Sequence, residues 1–561
     1  MMRVRFQEKV AMAPNHIIAR PSKARLASLC VALAAGCGGT QTAPVNATTT
    51  ASQIAPAPVA VQEAARPPAP TTPDAPFRAS EPAPERTAAF VAPHVDSFTL
   101  SNGMKVLLVE RHELPVVTVQ VVTRRGGDDA PIGRPGLASL VGTLLEMGTT
   151  TRNAFDVSDA YAALGAEHGT WMHWDSGGAF AKVLAPNLQP ALDIVADIIE
   201  HPSFAPEEIE RARARRLSSL RQELDSPRTI ASNVAARAVY GEAHPYGQSL
   251  TGTEAGIRAI TRDEIVQFYQ RHFVPADSSI VVVGDVTRAS VTPLLQAAFG
   301  SWRARGPAVR PLAAPAAIRN APRILLVDKP GAPQSAVSVA QRGVPRSSQD
   351  YVSIMVMNTI LGGMFSSRIN LNLREAHAYT NGAGSAFAFR HGPGPFNVGG
   401  AIAVASTAPA VREIFNELAR MRTTDVTEAE LNAAKARLTE SLPARFETTD
   451  QTAAAIAELF TYALPTDEYA TITARINAIT IADVRRAAQT YLEPDSARII
   501  IVGDRGAVEP GLRELNMGEI EVVDAYGARP DAAANAPAAR PAPGASGTTA
   551  HPAAPAAPNH H

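Results

Sequence analysis

The thirteen histidines of this chain are the side chains whose spacing could bind a metal ion, yet none has a second histidine three or four positions away. A helix needs that spacing to present two imidazoles on one face to the same zinc ion. His168 and His173 flank Trp171 in a predicted strand, where their odd spacing places them on opposite faces. His168 and His173 are therefore predicted to lie at the surface or against aromatic rings.

Several other kinds of catalysis also lack a starting point. The two cysteines, Cys30 and Cys37, lie near the N-terminus, so the rest of the chain can form neither a disulfide nor a thiolate metal site. There is no G-x-x-x-x-G-K-[ST] loop for phosphoryl transfer and no G-x-S-x-G elbow for serine hydrolysis. The 52 basic and 53 acidic side chains nearly cancel, so no global field would attract nucleic acid.

Residues 1–37 have the pattern of an export signal. Three basic residues precede an apolar run at 26–35 that is too short to span a bilayer. The sequence Ala-Ala-Gly-Cys at 34–37 is similar to a bacterial lipobox, whose cysteine becomes lipidated. We expect export to the periplasm, or anchoring on a bacterial envelope membrane through Cys37, with an ordinary signal peptide as the alternative. No later segment is expected to be apolar enough to cross a membrane.

Composition and an internal repeat divide the rest of the chain. Residues 38–94 are rich in Ala, Pro and Thr and residues 527–561 in Ala and Pro, which predicts a disordered tether and a disordered tail. Between them, a helix signal, a strand and a Gly-Asp pair at 260–285 recur in the same order at 479–504. The offset of 219 residues at each landmark indicates two homologous domains, at 95–304 and 321–526, joined by a linker at 305–320.

Each domain is predicted to be α+β, with an antiparallel-rich sheet covered by helices. In the first domain, two strand patterns around a Ser-Asn-Gly turn precede a helix at 136–147. Further strands near 167–174 and 177–184 are followed by helical patterns at 187–200, 205–224 and 228–240. Strand pairs interrupted by long helices favour helices packed on one face of a sheet.

Ordered motifs in both halves resemble the insulinase/pitrilysin family of zinc peptidases, inverted zincins similar to mitochondrial processing peptidase. The matching segments lie at 136–138, 148–149 and 244–247 in the first half and at 361–363, 366–368 and 373–375 in the second. The resemblance covers about 96–510. It implies a clam-shell pair of domains that encloses a peptide chamber, which some relatives assemble from two different chains.

The resemblance also shows what this chain has lost. The family binds zinc with H-x-x-E-H, whose glutamate is the general base, and with a later glutamate on another helix. Here the signature reads Ser139-Leu140-Val141-Gly142-Thr143, and the later position falls at Ser218 or Ser219. Hydroxyl groups are poor zinc ligands. Glu146, one turn further on, has no histidine beside it in the sequence. We therefore expect no metal and no cofactor on this chain.

One functional element of the family is retained in the second half. Active members use an arginine, followed seven residues later by a tyrosine, to bind the substrate carbonyl and stabilise the transition state. Arg374 matches the arginine, whereas the tyrosine position holds Asn381 and Tyr379 stands two residues earlier. Arg374 and Tyr379 could act in trans on a substrate held by a zinc-bearing partner. The alternative is a structural salt bridge for Arg374 and core packing for Tyr379.

A basic run on one predicted helix allows two interpretations. The run comprises Arg211, Arg213, Arg215, Arg216 and Arg221 and follows three glutamates at 207, 208 and 210. It could bind a polyanion, but a solvated helix with charge pairs one turn apart is the favoured interpretation.

These observations predict a catalytically inactive subunit that pairs with an active zinc peptidase of the same family. It would form half of a peptide chamber, hold extended peptides along a sheet edge and contribute Arg374. Two alternatives stay open. One is a stand-alone peptide-binding or scaffold lipoprotein, and the other is an active zinc metallopeptidase whose ligands the motif comparison misses.

Overall fold

The computed structural model describes residues 90–304, 306, 312 and 323–529, which belong to one compact unit. The predicted export signal and lipobox with Cys37, the tether up to residue 89, most of the linker and the tail from residue 530 lie outside the described residues.

The first half builds one sheet and the helices around it. Its strands are β1 (Asp96–Thr99), β2 (Lys105–Glu110), β3 (Val116–Thr123), β4 (Glu167–Met172), β5 (Gly177–Leu184) and β6 (Ser278–Gly284). Its helices are α1 (Leu137–Leu144), α2 (Ala154–Ala163), α3 (Leu188–Glu200), α4 (Pro206–Glu223), α5 (Pro227–Tyr240), α6 (Glu254–Ala259), α7 (Arg262–His272) and α8 (Arg288–Phe299).

The second half repeats this plan. Its strands are β7 (Ile324–Asp328), β8 (Gln334–Arg342), β9 (Thr380–Phe387), β10 (Pro395–Ala403), β11 (Arg498–Gly503) and β12 (Ile520–Val522). Its helices are α9 (Tyr351–Asn358), α10 (Arg368–Asn370), α11 (Thr407–Thr423), α12 (Glu428–Glu440), α13 (Thr449–Thr461), α14 (Glu468–Ala478), α15 (Ile481–Tyr491) and α16 (Arg505–Glu514). Two π-helical segments, Thr359–Gly363 and Leu371–Ala376, follow α9 and α10.

The two six-stranded sheets have equivalent strand orders, β1-β2-β6-β3-β5-β4 and β12-β7-β11-β8-β10-β9. In each sheet the last four strands pair antiparallel, whereas β2–β6 and β7–β11 are parallel. The strand at the outermost position differs between the sheets. In the first half it is the first strand in the sequence, β1, which pairs antiparallel with β2, and in the second half it is the last strand, β12, which pairs parallel with β7. The predicted α+β fold with two homologous, antiparallel-rich domains is confirmed.

The repeat has a local physical basis at its helix starts. Helices α7 and α15 begin 219 positions apart. The hydroxyl groups of Thr261 and Thr480 each accept a hydrogen bond from the N3 backbone amide, and the carboxylates of Glu264 and Asp483 accept one from the threonine backbone amide. These capping boxes satisfy amide groups that a helix otherwise leaves without partners, so the same short pattern starts the same helix twice.

Each half lends one helix to the sheet of the other. Helix α5 packs Ile230 and Val234 against Ile500 on the second sheet, and α13 packs Ile456 against Val281 on the first. Because successive side chains on a strand point to opposite faces, each sheet buries one face in its own core and the other under the neighbouring half. The two halves therefore share an apolar interface.

One helical stretch of the second half passes a test for a membrane span. Tyr351–Ala376 is long and apolar enough by length and composition, so the expectation that no later segment would qualify was wrong. However, 67% of its most apolar part is buried within the protein, and Ile354, Met357 and Leu361 belong to the hydrophobic core of the second half. It is a core helix.

Candidate functional site

Helix α1 carries the three positions that a zinc signature would occupy in the first half. It begins after Gly136, whose φ of 91° suits glycine. Gly142 is buried, and a Cβ atom there would lie 2.7 Å from Cβ of Met172 on β4. Thr143 Oγ1 donates a hydrogen bond of 3.1 Å to the carbonyl oxygen of Ser139. A glutamate at position 142 would therefore have to displace Met172.

The opposing helix α4 presents a positive charge to Ser139. Arg216 donates a hydrogen bond of 2.7 Å from Nη2 to Ser139 Oγ. Ser218 and Ser219, on which the motif comparison placed the lost glutamate, are both exposed. Residue spacing placed the lost glutamate position on α4. The packing of α4 against α1, however, brings Arg216 rather than Ser218 or Ser219 to α1.

Glu146, which has no histidine near it in the sequence, lies beside one in space. Its Oε2 lies 3.3 Å from Nδ1 of His168 on β4. The His168 ring stacks on Tyr161, with centroids 4.0 Å apart. Burial, and then the charge of Glu146, raises the pKa of Tyr161 above its usual value. Among the described residues no third metal-ligating group joins Glu146 and His168. His173 is exposed beyond the end of β4.

In the second half, one cavity brings together the residues that the family resemblance singled out. Arg374, Tyr379 and Asn381 all line this cavity of about 350 Å³. Tyr379 follows Ala378, whose φ of 54° lies in the left-handed region that is uncommon for alanine. The strained turn directs the chain from the helical segment into β9, with Asn381 exposed on that strand.

The contacts of Arg374 are few and solvent-accessible. Its guanidinium lies over the ring of Phe365, 4.6 Å from the centroid, and its Nε lies 3.3 Å from the neighbouring Glu375. Phe365 is 66% exposed, so the pair forms a surface feature. Tyr379 stacks on His377 and is partly buried against the second core. An exposed ion pair contributes little stability, and the arginine remains accessible to a ligand.

The edge strands next to these two sites differ in their free hydrogen-bonding groups. β4 and β9 each form one edge of their sheet. On β9, Ala383 N donates to Asn370 Oδ1. Within the described residues, the main chain of β4 makes hydrogen bonds only to β5. The outer edge of β4 therefore offers unpaired N–H and C=O groups to an extended peptide.

Most of the basic run on α4 is neutralised by acids. Arg211 pairs with Glu208, Arg213 with Glu210 and Arg221 with Glu254. Two of these pairs span a single helical turn, as the favoured interpretation expected. Arg215 and Arg216 have no such partner among the described residues, and both reach toward α1.

A cluster that joins the two halves escaped the sequence analysis. Asp128, Asp175 and His391 place atoms of the metal-ligating type within 4.8 Å of one another. His391 Nδ1 lies 2.9 Å from Asp128 Oδ2, its Nε2 lies 2.9 Å from the carbonyl of Thr461, and Tyr462 donates to Asp175. Burial opposes the charge, but the hydrogen bond to Asp128 and the two carboxylates raise the pKa of His391 to about 9. Near neutral pH both ring nitrogens carry protons, so the imidazolium is the cation of this cluster.

Two family models match the chain on either side of residue 256. The model described as insulinase (peptidase family M16) matches residues 105–254, and the model described as the peptidase M16 inactive domain matches residues 259–438. Together they cover more than half of the chain, and the second match begins in the last part of the first half and extends into the second. The chain belongs to the insulinase family, M16.

Similar M16 proteins include one sequence relative and two solved structures. An uncharacterized zinc protease of Mycobacterium leprae is 28% identical over 340 residues, which is 61% of this chain and 76% of that protein. A peptidase M16 inactive domain of Pseudomonas fluorescens has a TM-score of 0.68 at 24% identity and covers 73% of this chain and 98% of its own. A Helicobacter pylori protease has a TM-score of 0.67 at 20% identity, with 74% and 100% covered.

The M16 family implies zinc, but the residues at the signature positions do not fit it. The signature positions hold two hydroxyl side chains and a glycine packed against Met172. The group that approaches them from α4 is the cation of Arg216, which would repel a second cation. Nothing among these side chains offers zinc the imidazole and carboxylate ligands that it prefers.

Proposed function

We propose that this chain is a zinc-free M16 subunit that pairs with a zinc-bearing M16 peptidase and forms half of a shared peptide chamber. The observation that carries the proposal is the hydrogen bond from Arg216 to Ser139 beside the tightly packed Gly142. It supports a first-half site that has been rebuilt around a fixed positive charge. Cleavage then depends on metal chemistry supplied by another chain.

The packing of the two halves supports the need for a partner. Helices α5 and α13 fill the sheet faces that meet within this chain. A chamber that encloses a peptide is therefore best completed by a second chain. The outer edge of β4 would hold the peptide by main-chain hydrogen bonds, which bind extended backbone with little dependence on sequence.

Arg374 is the residue that we propose contributes to the shared reaction. Peptide hydrolysis develops negative charge on the carbonyl oxygen, and a fixed guanidinium stabilises that charge more than the neutral ground state. Phe365 holds the guanidinium by a cation–π contact while leaving it accessible. Tyr379 lines the same cavity and could add a hydroxyl donor.

Co-expression with an M16 chain that contains H-x-x-E-H tests this proposal. Peptidase activity of the purified complex is compared for the native chain, Arg374→Ala and the control Arg505→Ala, an exposed arginine on α16. We expect Arg374→Ala to lower kcat about 100- to 1,000-fold, as loss of one oxyanion-stabilising group does. The control should leave the rate unchanged.

Three outcomes would change the proposal. An unchanged rate for Arg374→Ala would remove the shared-site role and leave the chamber role. Failure of the two chains to copurify would favour the second candidate, a stand-alone peptide-binding scaffold, for which the free edge of β4 is also suited. Peptide cleavage by the isolated chain that a chelator abolishes would overturn the zinc-free assignment.

A further inference from the structure

We infer that the first-half position between α1 and α4 binds a carboxylate of a peptide. The inference rests on the proposed function, because it requires that the chain hold extended peptides. Arg216 contributes the guanidinium at this position and Ser139 and Thr143 the hydroxyl groups, on adjacent turns of one face of α1.

The charge balance of α4 is the first argument. Three arginines of its basic run are neutralised by Glu208, Glu210 and Glu254. Arg215 and Arg216 instead contact neutral atoms, Met147 Sδ at 2.9 Å and Ser139 Oγ at 2.7 Å. Neither forms an ion pair with an acid among the described residues. Positive charge is therefore concentrated on the side of α4 that faces α1.

The second argument is the position of these charges relative to the peptide edge. Helix α1 packs on β4 through the contact of Gly142 with Met172. A peptide added along the outer edge of β4 would therefore run beside α1. Glu146, an acid just beyond the end of α1, is paired with His168. A carboxylate of that peptide would bind the guanidinium of Arg216 where it contacts the hydroxyl group of Ser139.

Guanidinium chemistry selects the ligand. Arg216 uses one Nη to contact Ser139 and keeps further N–H donors, and its planar fork matches the two oxygens of a carboxylate. The carboxylate could belong to the C-terminus of the peptide or to an Asp or Glu side chain. Both sources have the same chemistry, so the experiment must separate them.

Fluorescence anisotropy with labelled peptides of one sequence provides that test. The peptides are a C-terminal acid, the matching C-terminal amide, and versions in which one Glu replaces a Gln at successive positions. Binding is measured for the native full-length chain, Arg216→Gln, Arg216→Lys and the control Arg221→Gln, which removes a paired arginine from the same helix. Thermal unfolding checks that each variant folds.

We expect one carboxylate-bearing peptide to bind about three- to tenfold more tightly than its neutral match, as a partly exposed charge-assisted hydrogen bond would give. Arg216→Gln should abolish the preference, Arg216→Lys should restore part of it, and Arg221→Gln should retain it. A preference for the acid over the amide identifies the C-terminus, and a preference for one Glu position identifies a side chain.

Equal affinities for acidic and neutral peptides, or a preference that survives in Arg216→Gln, would overturn the inference. So would the absence of peptide binding. The proposed function fails by a different result, loss of copurification or of activity with the zinc-bearing partner, so failure of one does not imply failure of the other.

Discussion

The two halves of this protein share one scaffold and differ in the chemistry placed on it. In both, a helical segment approaches the edge strand through a glycine. A Cβ on Gly142 would lie 2.7 Å from Met172 Cβ on β4, and a Cβ on Gly362 would lie 2.3 Å from the backbone nitrogen of Ser385 on β9. The polar group of interest in the first half is Arg216 on Ser139, and in the second it is the half-buried Arg374 over Phe365.

This difference shows which features the packing requires. Close approach of helix and strand depends on a glycine, because any larger residue would separate them. The polar positions around that contact are free to change, because their side chains lie at the rim of the core. Scaffold and site can therefore diverge independently within one duplicated fold.

The exchanged helices provide the test with the largest expected effect. Ile456→Ala in α13 and Ile230→Ala in α5 each remove a buried side chain from the shared interface. Each should lower the free energy of unfolding by about 2–5 kcal/mol, measured by urea denaturation. Because the interface joins the halves, unfolding should remain a single transition. If only one of the two variants has a small effect, the two exchanged helices do not contribute equally. Phe155→Ala, at a side chain that is 73% exposed, is the control.

The glycine contacts give the next test. Gly142→Ala and Gly362→Ala should both destabilise the protein, by about 1–3 kcal/mol. The larger loss should come from Gly362→Ala, since the new Cβ would lie 2.3 Å from a backbone nitrogen, closer than the 2.7 Å contact at Gly142. Thermal unfolding measures both, and the same change at Gly506, which has more room, is the control. A stable Gly142→Ala would argue against the closed packing that we assign to the former signature.

The cluster between the halves predicts a pH dependence of smaller size. The folded state raises the pKa of His391 to about 9 from an ordinary value of 6.5. Its stabilisation is thus complete below pH 6.5 and is lost as the pH rises through 9. For a mostly buried group we expect about 1–2 kcal/mol.

Unfolding free energies at pH 6 and pH 9.5 measure this loss, which His391→Gln should remove. Asp128, Asp175 and Tyr462 face His391, and Tyr246 and Arg390 interact with Asp175 of the same cluster. His377→Gln, at an exposed histidine outside the cluster, should keep the native pH profile. If the native chain and His391→Gln lose the same unfolding free energy between pH 6 and pH 9.5, the charge of His391 does not stabilise the contact between the halves.

The local parts of the fold were predictable, because they depend on short patterns. The capping boxes at Thr261 and Thr480, the buried strands that follow and the 219-residue offset can all be read in the sequence. The exchange of α5 and α13 was not predictable, because apolar periodicity shows that a face is buried but not which sheet covers it. The same limit concealed the cluster at His391, whose members come from three segments that are distant in the sequence.

The sequence alone determined that no histidine pair and no glutamate remain at the zinc signature, since residue identity settles which ligands exist. It also determined the two-domain repeat that supports membership of the M16 family. Only the tertiary structure decided what took the place of the signature. Arg216 rather than Ser218 reaches Ser139, and His168 rather than a sequence neighbour meets Glu146, because these contacts depend on how α1 packs against α4 and β4.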